Sequence, residues 1–246
     1  MNYIIAFIGP LLYFLLANGT MVYLTKKSFG KCLPLTMMAG SFTLYISQLI
    51  FQTFIVGITL NIIFALASIG IIIVLAMKKK EELIEYKENY ITNGLTVFIT
   101  IYVLLFIYNI NRTFIQWDDF SHWGVMLKEM LRLDKFYSIE QSTLMVHKDY
   151  PPIISLYELL YTRVAGGYSE STAIMSMQLL EVSLFIPAIS EIKFKKNNTI
   201  KSIAIATAVA FTVMLTLLFW DQHRIINSIY TDYLMGILIG YIIFYI

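Results

Sequence analysis

Residues 88–124 read ENYITNGLTVFITIYVLLFIYNINRTFIQWDDFSHWG. Between Glu88 and Arg112 no side chain carries a charge. A helix needs about 20 apolar residues, at 1.5 Å rise each, to cross the roughly 30 Å hydrocarbon core of a bilayer. The first part of the stretch therefore reads as a membrane span. The second part puts Asp118, Asp119 and His122, flanked by Trp117 and Trp123, where that span ends.

The rest of the 246-residue chain follows the same pattern. It is 58% hydrophobic and 14% charged, with a mean hydropathy of +0.71. Soluble domains run about 45–50% apolar and about 25% charged. Apolar segments fall at 3–24, 33–56, 58–77, 90–110, 171–190, 200–219 and 232–246. The expectation is an all-α polytopic membrane protein with about seven transmembrane helices. Residues 57–61, Gly57 to Asn61, are expected to turn between the second and third spans. The first segment lacks a basic leader region and a small-residue cleavage site, so it reads as a retained helix. The segment 151–165 opens with Pro151-Pro152, which suits a helix start; a full crossing would put the lysines at 193–196 outside, against the usual Lys/Arg bias, and stays open as the alternative. The segment is expected to be a short interfacial or re-entrant helix. The last segment has no polar flank and would make about 22 Å of helix, so the chain is expected to be a truncated form of a longer protein. Cys32 is the single cysteine, and no internal disulfide can form.

Lysines cluster at Lys26, Lys27 and Lys31, at Lys78 to Lys80, and at Lys193, Lys195 and Lys196. Cytoplasmic connections carry the Lys/Arg excess. With these clusters inside, residues 111–150 and the loop WDQHRIINSIYTDY (220–233) lie outside. The division expected is an N-terminal three-helix membrane part, 1–89, and a second membrane module, 90–246, whose outer loop is 111–150.

Within that loop, SHWGVMLKEMLRLDKF puts Trp123, Met126, Leu127 and Met130 on one helical face, which suits an interfacial helix. Acids at a span exit are commonly just solvated helix ends. Here they have company. HKDYPP (His147 to Pro152) closes the same loop, and DQHRIINSIYTD, with Asp221, His223, Arg224 and Asp232, returns to the same side. Adjacent carboxylates supply a general base, a cation ligand, or both. Lys148, Arg224 and the histidines can hold a phosphate. The chain has no GxxxxGK[ST], GxSxG, HExxH or CxxC. Nucleotide hydrolysis, triad hydrolysis and a zinc site of usual spacing lack support. Transfer of a group from a lipid-borne phosphate remains.

WDDFSHWG resembles the W-D-E-x-H-F-G stretch in the first outer loop of protein O-mannosyltransferases, and HKDYPP resembles the H-P-P motif that closes that loop. These enzymes belong to the GT-C superfamily of integral membrane glycosyltransferases. The resemblance covers about residues 110–190. It departs from the pattern in one extra residue before His122, in Asp119 for Glu, and in three spans ahead of the motif-bearing one. It implies an outer-face enzyme of the bacterial plasma membrane, acting on a polyprenyl-phosphate sugar donor. Asp118 is then the first choice of catalytic base. Asp119 steers the donor, or ligates a divalent cation should one take part. His122, His147, Lys148 and, from chemistry alone, Arg224 hold the donor phosphate. The partners are the lipid bilayer and the lipid-linked donor, with no nucleic acid. The rival readings are a transporter or flippase-like protein for a polar lipid, and a non-catalytic membrane scaffold.

Overall fold

A computed structural model of the chain describes residues 2–190, 228–229 and 231–245. The span expected at 200–219, the third lysine cluster, and Asp221, His223 and Arg224 lie outside the described residues. Every regular element among the described residues is helical.

Three long helices form an up-and-down bundle: α1 (Tyr3–Thr25), α2 (Phe29–Phe51) and α3 (Phe54–Lys78). Each is long and apolar enough to cross a membrane. Asn2 starts α1, its side chain accepting from the Ile4 amide at 3.0 Å, which satisfies one of the unpaired amides of a first turn. Next come α4 (Lys80–Tyr90) and α5 (Asn93–Asn109), bent by 48°. Taken as one broken span, they bring the crossings among the described residues to four. The seven expected from the apolar runs are thus not all present there as spans.

The expected turn at Gly57–Asn61 is corrected. The chain turns at Gln52, in the left-handed region, and Thr53, which caps α3. Gly57 and Asn61 lie inside α3. Gly57 packs on Leu44 and Ser47. Asn61 is buried, accepting from Tyr13 Oη at 2.9 Å and donating to the Gly57 carbonyl at 2.9 Å. Glycine and asparagine are common turn residues, but here one allows close packing and the other crosslinks helices.

The expected span 171–190 divides into α8 (Glu170–Ser183) and α9 (Ile186–Ser190). Pro187 lacks the amide that would bond the Ser183 carbonyl, and its ring crowds that carbonyl. A last helix, α10 (Thr231–Tyr245), matches the segment expected at 232–246.

The segment after Pro151-Pro152 forms α7 (Ile153–Val164), about 18 Å long by its rise. It lies in the bundle instead of crossing with it. Tyr157 and Tyr161 face Phe14 of α1 at 6.1 and 6.2 Å, and Tyr157 Oη reaches Met37 Sδ at 3.8 Å. The Val164 carbonyl takes the space a side chain at Gly9 would fill. From Ile153 to Val164, α7 therefore climbs from the middle of α2 toward the start of α1. The helix starts where Pro151-Pro152 led one to expect it.

Candidate functional site

α5 ends at Asn109, which fixes the exit of its chain. Its side chain donates to Gln178 Oε1 of α8 at 2.6 Å, and Ser171 Oγ donates to its carbonyl at 2.5 Å. Past Asn111, in the left-handed region, the Phe114 amide donates to Glu170 Oε2 at 2.8 Å. WDDFSHWG then opens with a single π turn, Asp119–Trp123, which runs directly into α6 (Gly124–Leu133). The wide turn is closed by the Gly124 amide donating to the Asp119 carbonyl. A side chain at position 124 would collide with the Phe114 ring and with that carbonyl, so glycine is required there. π turns inside helices are frequent at functional sites.

α6 buries Met126, Leu127 and Met130, with Trp123 just ahead of it, as its spacing implies. Glu129, on the supposedly polar face, is buried too. Its Oε2 accepts from Arg132 Nη2 at 2.6 Å and from the Thr143 amide at 2.8 Å, and Arg132 Nη2 also donates to the Gln141 carbonyl at 2.8 Å. The Arg132 hydrogen bond, opposed by burial and helped by Thr143, pulls the Glu129 carboxyl down to about 2. This staple holds residues 141–143 against α6 and delivers HKDYPP to the π turn.

The two motifs meet. The His122 and His147 rings are 4.6 Å apart between centroids, and Tyr150 stacks on His147 at 4.5 Å and on Trp123 at 5.3 Å. Tyr137 Oη donates to the Tyr150 carbonyl at 2.5 Å. His147 adopts a left-handed backbone, φ 60°, which turns the chain toward the π turn. Ser121 Oγ lies 2.8 Å from His122 Nδ1. Burial, then the neighbouring His147, lower the His122 pKa, against a smaller upward pull from Asp118. Both effects favour the neutral ring.

The adjacent acids are placed differently. Asp118 is half-buried at the lip of the π turn, within electrostatic reach of His122. Asp119 is fully buried. Its Oδ1 accepts from Ser228 Oγ at 2.7 Å and from the Ile229 amide at 3.1 Å, while Oδ2 has no partner. Burial raises its pKa, and the Ser228, Ile229 and Gln116 hydrogen bonds partly offset this. The third polar cluster thus reaches the other two through Ser228 and Ile229. Lys148, next to His147, is half-buried. Arg224 is outside the described residues. Glu158 of α7 is sealed inside the protein, with its Oε1 unpartnered.

Sequence reasoning missed Tyr150 as the ring bridging both histidines, and Ser228 as the anchor of Asp119. An aromatic inside HKDYPP was visible, but nothing marked it as a bridge. A serine in a polar loop carries no signal at all. No three His, Cys, Asp or Glu side chains among the described residues are grouped to hold a metal ion, and no step below is routed through one.

No protein-family model, curated protein or solved structure matches the chain.

Proposed function

We propose that this protein is a membrane glycosyltransferase of the GT-C type. It moves a sugar from a polyprenyl-phosphate donor to an acceptor hydroxyl at the outer face of a bacterial plasma membrane. The observation that carries the reading is the meeting of the His122 and His147 rings, 4.6 Å apart. It joins the two motifs that resemble the O-mannosyltransferase loop. The residue in excess of that family's pattern falls in the π turn, which accommodates one more residue than an α-turn and so keeps the acids and His122 on one short segment.

The chemistry divides between the two acids. Asp118, half-buried beside His122, takes the proton of the acceptor hydroxyl as that oxygen bonds to the anomeric carbon. The bond from that carbon to the phosphate oxygen breaks, and polyprenyl phosphate leaves with the electron pair. One displacement inverts the anomeric centre. Lys148 and His147 stand beside the leaving phosphate, where developing charge needs donors. Asp119 is a positioning residue, holding Ser228 and Ile229 against the π turn.

The test is transfer from a polyprenyl-phosphate-linked sugar in membranes carrying Asp118→Asn. Asparagine keeps the shape but takes no proton, and a positioned base is worth about 10²–10⁴ in rate. Transfer should fall by that factor while expression stays normal. Wild-type transfer by well-expressed Asp118→Asn would return the acid to an ordinary solvated helix end.

A further inference from the structure

Just past their shared turn, α2 and α3 are in contact, Gly57 lying against Leu44 and Ser47. Farther from that turn Asn61 still meets Gly40, and a groove opens beside that contact. Between them, floored by α1, lies a cleft of about 450 Å³, within the size range of ligand pockets. Its α2 wall is a stripe of small residues on one helical face, Thr36, Ala39, Gly40 and Thr43. Its α3 wall includes Ile63 and Ala67.

Depth follows from helix rise. Tyr13, on the floor, is about 15 Å from the start of α1, and Thr36 is about 10 Å from the opposite end of the bundle. The cleft therefore sits inside the hydrocarbon layer of any bilayer that these helices cross.

Its polar walls are already satisfied. Tyr13 Oη donates to Asn61 Oδ1 at 2.9 Å, and Asn61 Nδ2 donates to the Gly57 and Gly40 carbonyls at 2.9 and 3.3 Å. Thr36 Oγ1 donates to Asn18 Oδ1 at 2.7 Å and Thr43 Oγ1 to the Ala39 carbonyl at 2.8 Å. No polar side chain lining the cleft is left to recruit an ion, a headgroup or water, which needs two to four polar partners.

Size decides between the remaining occupants. Spread over the roughly 10 Å of α2 from Thr36 to Thr43, the cleft has a cross-section of about 45 Å². A helix from a second copy, 10–12 Å across, needs about 80–110 Å². A single hydrocarbon chain fits where a helix does not. The mouth opens sideways, past Ile63, which is 57% exposed.

We propose that this cleft is a lipid-chain site, which seats one acyl chain of a bilayer phospholipid between α2 and α3. The chain fills the groove beside the Asn61–Gly40 contact, so the site is structural and independent of the transfer reaction proposed above.

The experiment uses the full chain in phosphatidylcholine vesicles. A phosphatidylcholine probe carries a photoactivatable diazirine at mid-chain, and mass spectrometry maps the labelled peptides. Label should concentrate on 36–43 and 63–67. It should fall several-fold in Ala39→Phe, which fills the cleft, and stay unchanged in Ile62→Phe, on the lipid-facing side of α3. Should Ala39→Phe not fold, Ala67→Phe at the exposed mouth gives the same readout. Equal labelling in the filled and control variants overturns the proposal. So does chain-to-chain crosslinking in place of lipid labelling, which would put a second copy in the cleft.

Discussion

The α1–α3 bundle and the cap built from the π turn, α6 and α7 differ in the company their buried polar groups keep. In the bundle, Tyr13 bonds Asn61 and Thr36 bonds Asn18 across helices, while Gln48 Oε1 and Ser68 Oγ are left without partners. Around the cap, Asp119 Oδ2, Trp123 Nε1, Glu158 Oε1, Thr162 Oγ1 and Tyr168 Oη are buried without partners. An unpartnered buried polar atom costs about 1–3 kcal/mol, and native structures hold few of them. The cap keeps polar capacity unused beside two acids and two histidines, the pattern expected where local rules give way to function.

The largest expected effect lies in the cap and separates the two regions most sharply. Asp118→Asn should remove about 10²–10⁴ in transfer rate and change stability by no more than about 0.5 kcal/mol. A comparable loss of thermal stability would erase the contrast.

Next in size is a change in the bundle. Asn61→Leu deprives the buried Tyr13 hydroxyl of its acceptor and should cost about 1–3 kcal/mol. Thermal unfolding in detergent should show it, while transfer per folded molecule stays near wild type.

A smaller effect is expected from Ser228→Ala, which removes one of the two donors to Asp119 Oδ1. A hydrogen bond to a charged group is worth about 1.5–3 kcal/mol, but the Ile229 amide remains, so the loss should be below that range. Limited proteolysis should find the segment around 228 cut faster, with α1–α3 unaffected. An unchanged cleavage rate would remove Asp119 from its positioning role.

The smallest effect depends on pH. The Glu129 carboxyl titrates at about 2 in the folded protein against an ordinary 4.5. A lowered folded value stabilises above the unfolded value and is lost as pH falls through the folded one. The hold on residues 141–143 should thus be full above about pH 4.5 and weaken toward pH 2. Amide exchange at Thr143 should quicken over that window, and Glu129→Gln should remove the pH dependence.

Legibility differed between the regions for physical reasons. The expected 3–24 and 151–165 match α1 at Tyr3–Thr25 and α7 at Ile153–Val164, because run length and a Pro-Pro start are local signals. The turn expected at Gly57–Asn61 failed because identical residue types serve turns and close helix contacts. In the cap, Asp118, Asp119, His122 and His147 stood out as chemistry where a span ends. The difference in burial between the two acids did not. Neighbours in sequence, one is half-buried and the other is anchored to residues more than a hundred positions away.

By itself the sequence determined the helical character of the chain and which runs are long and apolar enough to cross a bilayer, since apolar run length against hydrocarbon thickness is a one-dimensional comparison. It also determined which short segments carry titratable groups. Only the tertiary structure decided that His122 meets His147, that Asp119 is fully buried while Asp118 is half-buried, and that a cleft opens between α2 and α3. Those are relations between segments distant along the chain. Packing and desolvation set them, and neither can be read from one segment alone.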